Sequence, residues 1–224
     1  MRITSLFLLL PALFILGCST TRAPRAGQVA YSGFLQDYSQ LETGRKNFPL
    51  HSYVKPGLSL KAYDTLIIEE PTLILSEESV KKIANADLSA LLAAAKRTGR
   101  ENLRPAIHVT DKAGPHTLRV RWAIIELAPA SKLNVVSGLI PQARTASLIL
   151  SKGTDTHLFV GKIAVEAEVL DSQTGEVLMA GVDTRVGSNA VQNIGSTWGD
   201  VEDAFEFWAK RFVNNLQSFG MPTK

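Results

Sequence analysis

Two periods alternate along this chain. From His116 to Leu127, "HTLRVRWAIIEL" alternates residue by residue: Leu118, Val120, Trp122 and Ile124 fall on one side, and Arg119 and Arg121 fall on the other with Ala123, Ile125 and Leu127. A period of two predicts a strand with two unlike faces. Residues 158–187, "LFVGKIAVEAEVLDSQTGEVLMAGVDTRVG", repeat the pattern twice. Phe159, Gly161, Ile163, Val165, Ala167 and Val169 share one side, and Lys162, Glu166 and Glu168 the other. Asp171 to Gly175 is a turn of the kind that closes a hairpin. The returning strand, Glu176 to Val186, carries Asp183 and Arg185 on its polar positions. Tyr63 to Glu69 is a further β-rich run, stopped by Pro71.

Between Ser76 and Thr98 the period becomes that of a helix. Val80, Ile83, Ala84, Leu88, Leu91, Leu92 and Ala95 form one apolar stripe. Ser76 suits the N-cap, Glu77 and Glu78 the first turn, Lys96 and Arg97 the last, and Gly99 the residue beyond it. Asp87 interrupts the stripe, either at the helix edge or as a buried acid. A second helix, from about Asp200 to Phe219, carries Val201, Ala204, Phe205, Trp208, Phe212, Leu216 and Phe219 on one face and stops at Gly220 and Pro222. Phe207 lies off that stripe, facing a neighbouring loop. Phe34, Tyr38 and Leu41 share a face of a short helical turn that would dock on the domain.

This order predicts an α/β (α+β) single domain: a mainly antiparallel sheet of about 4–5 strands, with two main helices on one face and water on the other. The polar strand positions should then lie side by side. Arg119, Arg121, Lys162, Glu166, Glu168, Asp183 and Arg185 form a ladder of mixed charge, read either as a solvated face or as a partner-binding face. Residues 128–157 are long, apolar and weakly charged. They either cover the sheet or touch a membrane or a partner.

Composition excludes several classes. The chain is 45% hydrophobic and 20% charged, with a formal net charge of +3 and no basic block, so no nucleic acid is expected as partner. The four histidines, His51, His108, His116 and His157, lack metal-ligand spacing. No phosphate loop, dinucleotide fingerprint or nucleophile elbow is present. Glu166 and Glu168 stand about 7 Å apart by strand rise. Paired carboxylates can cleave glycosides, but an open sheet face offers no cleft. The chain is read as non-enzymatic, without cofactor or metal.

The single cysteine locates the protein. Met1-Arg2 precedes an apolar run from Ile3 to Leu16, too short to span a bilayer and ending at Cys18. Ile15-Leu16-Gly17-Cys18 resembles the lipobox of bacterial lipoproteins, with Leu16 departing from the small residue usual there. That resemblance implies cleavage before Cys18 and acylation of its thiol, and Ser19 in the next position implies sorting to the outer membrane. Two or more acyl chains anchor a protein stably. Residues 1–17 are then a lipoprotein signal peptide, 18–30 a flexible tether and 31–222 the domain.

Four stretches, "SGFLQDYSQL" (32–41), "PGLSLKAYDTLII" (56–68), "VGKIAVEAEVLDSQTGEVL" (160–178) and "WGDVEDAFEFWAKRF" (198–212), resemble a domain-of-unknown-function family of proteobacterial lipoproteins. The family implies no activity and no site residues. The expected function is a non-enzymatic binding or structural module of the cell envelope, anchored to the bilayer through acylated Cys18, facing the periplasm and docking on an envelope protein or on itself. The alternative is a membrane-active accessory of transport or secretion that uses residues 128–157.

Overall fold

Three long strands form the middle of a mixed sheet. The computed structural model describes residues 21–22, 30–77, 80, 85–128, 162–187 and 199–224. Cys18, residues 129–161 and the side chains of Asp87 and Lys162 lie outside the described set. Nine strands are present among the described residues: β1 (Thr21–Arg22), β2 (Glu42–Thr43), β3 (His51–Val54), β4 (Thr65–Ile68), β5 (Thr72–Leu73), β6 (His108–Val109), β7 (Thr117–Ala128), β8 (Lys162–Asp171) and β9 (Val177–Gly187). Their order is β2-β3-β9-β8-β7-β4-β6, with β1 paired to β9 and β5 to β7.

β7, β8 and β9 are the strands that strict alternation predicts, and they pair antiparallel. The expected count of about 4–5 strands is too low: β4 lies within the run Tyr63 to Glu69 expected as a strand, but the other five are only two to four residues long. So short a run shows no period. β4, β5 and β6 also depart from the antiparallel expectation: β4 runs parallel to both β7 and β6, and β5 runs parallel to β7. The chain between β4 and β7 contains a helix, which carries it back to the same end of the sheet as parallel pairing requires.

That helix is α1 (Asn85–Leu103), and the last is α2 (Gly199–Ser218). Glu77 and Val80 are also helical, and the Val80 N–H donates to the Ser76 carbonyl. α1 continues through Gly99 instead of ending at it, and stops ahead of Pro105, whose ring cannot continue the ladder. α2 ends as predicted. The Gly220 N–H donates to the Gln217 carbonyl and the Met221 N–H to that of Leu216. Gly220 sits at φ 91°, the left-handed position of a Schellman cap. Met221 and Leu216, both buried, supply the apolar contact of that cap.

Both helices lie on one face, as expected. Leu91 and Ala95 of α1 and Ala204 and Phe205 of α2 pack on Ile124, Leu127, Ile163 and Val165. The opposite face is not open to water. Leu35, Phe34, Tyr38 and Leu41 cover Ala123, Ile125, Ala164, Ala180 and Val182 there. The segment 31–41 does dock, but as a strap of bends and turns with no helix. Leu127 sits with Ile124, against the simple alternation, because the register slips between Ile124 and Glu126.

Candidate functional site

Cross-strand register decides which charged residues meet. Glu166 stands opposite Ala123, and Glu168 opposite Arg121, so these residues share the strap-covered face. Asp183 stands opposite Val165, and Arg185 opposite Ile163, which are helix-side residues. The expected single ladder is therefore two groups on opposite faces. Glu166, Glu168, Asp183 and Arg185 are all buried, at 0%, 1%, 6% and 5% exposure, so they form no solvated surface.

The strap explains the buried carboxylates. Glu166 accepts from the Ser32 N–H at 2.9 Å, the Ser32 hydroxyl at 2.7 Å and the Tyr38 hydroxyl at 2.7 Å. Glu168 accepts from the Gln36 N–H and, at 3.2 Å, from Arg121 Nη1. A buried charge is tolerated only when paired and hydrogen-bonded, and the strap supplies most of those bonds. Phe34 lies 4.9 Å under the Arg121 guanidinium, and Tyr31 stacks on Tyr38 at 4.6 Å. Burial, then the bond to Glu166, holds the Tyr38 phenol above its ordinary pKa. This pair of carboxylates fastens the strap.

On the helix side Asp183 ties three elements together. Its carboxylate accepts from Trp208 Nε1 and Arg211 Nη2, each at 2.6 Å, and from the Leu50 N–H at 3.1 Å. Phe207, off the apolar stripe of α2, lies 3.8 Å from the Arg185 guanidinium carbon. Burial lowers the Arg185 pKa, the Asp183 charge raises it, and Arg211 lowers it. Arg119 reaches the strand end instead, 3.7 Å from Glu69.

Beside Asp183 lies a feature that alternation does not announce. A cavity of about 170 Å³ lies between part of both helices and the sheet. Its aromatic walls include Trp122, Phe205, Trp208 and Phe212, and small residues make the room: Gly99, Ala167, Gly181 and Ala209. A glycine inside a strand often marks a close approach, and Gly181 is one. A Cβ there would lie 2.6 Å from Pro49 Cγ, so its glycine lets the 48–50 loop close over the cavity end. No group of three or more His, Cys, Asp or Glu able to hold a metal occurs among the described residues.

Comparison with known proteins agrees with the family resemblance at its coarser level. The family model described as "Protein of unknown function (DUF3313)" matches residues 30–212. No curated protein matches. Among solved structures, PelC from Paraburkholderia phytofirmans, a dodecamer in two crystal forms, is 12% and 10% identical. The alignments cover 72% and 75% of this chain and 93% and 95% of that one, at TM-scores of 0.39 and 0.37. Protein XCC0632 from Xanthomonas campestris is 11% identical over 73% of this chain and 86% of its own, at a TM-score of 0.37.

Proposed function

The chain belongs to the DUF3313 family of proteins of unknown function, and we propose that it is an outer-membrane-anchored bacterial lipoprotein whose domain is a non-enzymatic binding module of the cell envelope. The cavity between the sheet, α1 and α2 carries the binding reading. Bond-making sites bring polar groups together on one reacting atom. This lining is mostly rings, methyl groups and glycines, which hold a ligand through the apolar area removed from water.

Gly17-Cys18 supports the anchor. β1 begins three residues after Cys18 and pairs with the end of β9. An acylated Cys18 would hold that end of β9 within about 10 Å of the bilayer at ~3.4 Å per residue. The domain would face the periplasm. No helix among the described residues is long and apolar enough to cross a membrane. For an envelope protein or a second copy as partner, the accessible part of the predicted face among the described residues is Arg119 and Arg121, whose side chains are 40% and 31% exposed.

Two measurements test this reading. Labelled palmitate should enter the wild-type chain and the outer-membrane fraction, and Cys18→Ala should abolish both. Anilinonaphthalene sulfonate should brighten on the wild-type domain and stay dim on Ala209→Leu, whose side chain fills the cavity. Equal brightness on both proteins would remove the cavity as a binding site.

A further inference from the structure

We propose that the cavity seats one linear aliphatic chain ending in a hydrogen-bonding oxygen, a fatty acyl group or similar single-chain amphiphile. This deepens the binding-module reading and rests on it.

Shape is the first argument. Lining residues run from Phe205 to Asn215 along α2, about 15 Å at 1.5 Å per residue. Across the sheet they run from Tyr53 on β3, through β9, β8 and β7, to Ile68 on β4. Those four steps are about 19 Å at ~4.8 Å each. The lining is mostly apolar along both directions, so an extended alkyl chain laid in this slot meets apolar contacts whichever way it lies. Gly99 keeps part of it open without being forced to: a Cβ there would sit 3.9 Å from Trp122 Cζ2, at ordinary contact distance.

Polarity is the second, independent argument. Asn215 lines the slot and is 9% exposed. Its backbone carbonyl accepts from Ser218, but its side-chain amide has no hydrogen bond among the described residues. The amide keeps accessible surface where it lines the slot, and it can both donate and accept. One turn earlier stands Arg211, whose Nη1 donates to the Phe48 carbonyl and Nη2 to Asp183. That guanidinium already has its counter-charge, so the polar end asks for a hydrogen-bonding oxygen more than for a second anion. A carboxyl, ester or hydroxyl oxygen at the end of an alkyl chain meets that need while the chain fills the apolar slot.

Trp122 and Trp208 line the slot and make the test direct. The full chain carrying Cys18→Ala, so that no acyl group of its own competes, is titrated with dodecanoic acid brominated at mid-chain. Bromine quenches tryptophan emission at contact. The expected result is saturable quenching by one molecule per chain. Ala209→Leu and Gly99→Leu should abolish it while keeping a cooperative melt, and either folded variant suffices. Asn215→Leu should weaken binding about tenfold, the loss expected for one buried hydrogen bond. Absent or non-saturable quenching, or equal quenching in the filled variants, overturns the proposal. If anilinonaphthalene sulfonate still distinguishes wild type from Ala209→Leu in that case, the cavity binds a compact apolar ligand and the binding-module reading survives alone. If neither probe responds, both readings fall.

Discussion

Tyr38 donates its hydroxyl hydrogen to Glu166 Oε2 at 2.7 Å, across 128 positions of sequence. That bond joins the strap to the middle of the sheet and explains how a fully buried carboxylate is tolerated on β8. Tyr38→Phe should therefore destabilise the domain by about 1.5–3 kcal/mol, the range for a hydrogen bond to a charged group. Urea unfolding at neutral pH measures it. A loss of only a few tenths would mean that Ser32 alone satisfies Glu166.

Asp183 is the corresponding anchor on the helix side. Asp183→Ala removes the partner of Arg211 and the neighbouring charge of Arg185, so it should cost about 3–5 kcal/mol, as breaking a buried ion pair does. Adding Arg211→Met should return part of that loss, because the stranded cation is then gone. A double mutant as unstable as the sum of the two single variants would show that the residues act independently.

Gly181 and Gly99 should respond oppositely to the same substitution. Gly181→Ala drives a methyl to 2.6 Å from a proline ring carbon and should destabilise by about 1–3 kcal/mol through overpacking. Gly99→Ala meets only ordinary contact inside a helix and should stabilise by about 0.5–1 kcal/mol. Thermal melts of the two variants decide the matter. A shift of the same sign in both would contradict the packing described for the cavity ends.

The Tyr63 hydroxyl donates to Asp171 at 2.7 Å, and the pair predicts pH dependence at both extremes. Burial, then the bond to Asp171, raises the Tyr63 phenol from its ordinary value of 10.0 to about 12. Its contribution is complete below about pH 10, the unfolded value, and is lost as pH rises through about 12. Bonds from Thr174 and Tyr63 lower the Asp171 pKa below its ordinary value of 3.8. That contribution is present above 3.8 and is lost as pH falls through the folded value. Tyr63→Phe should flatten the alkaline arm of the stability curve, and Asp171→Asn the acid arm. A Tyr63→Phe protein that loses stability over the alkaline window as steeply as wild type would contradict the assignment.

The elements that local pattern could settle are those whose own length carries a period. β7, β8 and β9 alternate over ten to twelve residues, and α2 shows its stripe over five turns. The hairpin after β8 is also written locally: Asp171 Oδ1 accepts from the Gln173 and Thr174 N–H groups, and Gly175 takes φ 74°. The resemblance of Ile15-Leu16-Gly17-Cys18 to a lipobox is likewise a local pattern, since it lies in a run of neighbours.

Which faces meet was a matter for the assembled sheet. Polar positions at period two show that Glu166, Glu168, Asp183 and Arg185 alternate with apolar ones, but not which strands' polar positions coincide. Val165 opposite Asp183 puts that carboxylate under a helix, and no single strand encodes the pairing. The covering strap contacts residues more than a hundred positions away, beyond any local period. The cavity is more distant still from sequence pattern. It exists where Gly99, Ala167, Gly181 and Ala209, small residues from four elements, happen to face one another. Space of that kind belongs to packing, because it is made by side chains that are absent.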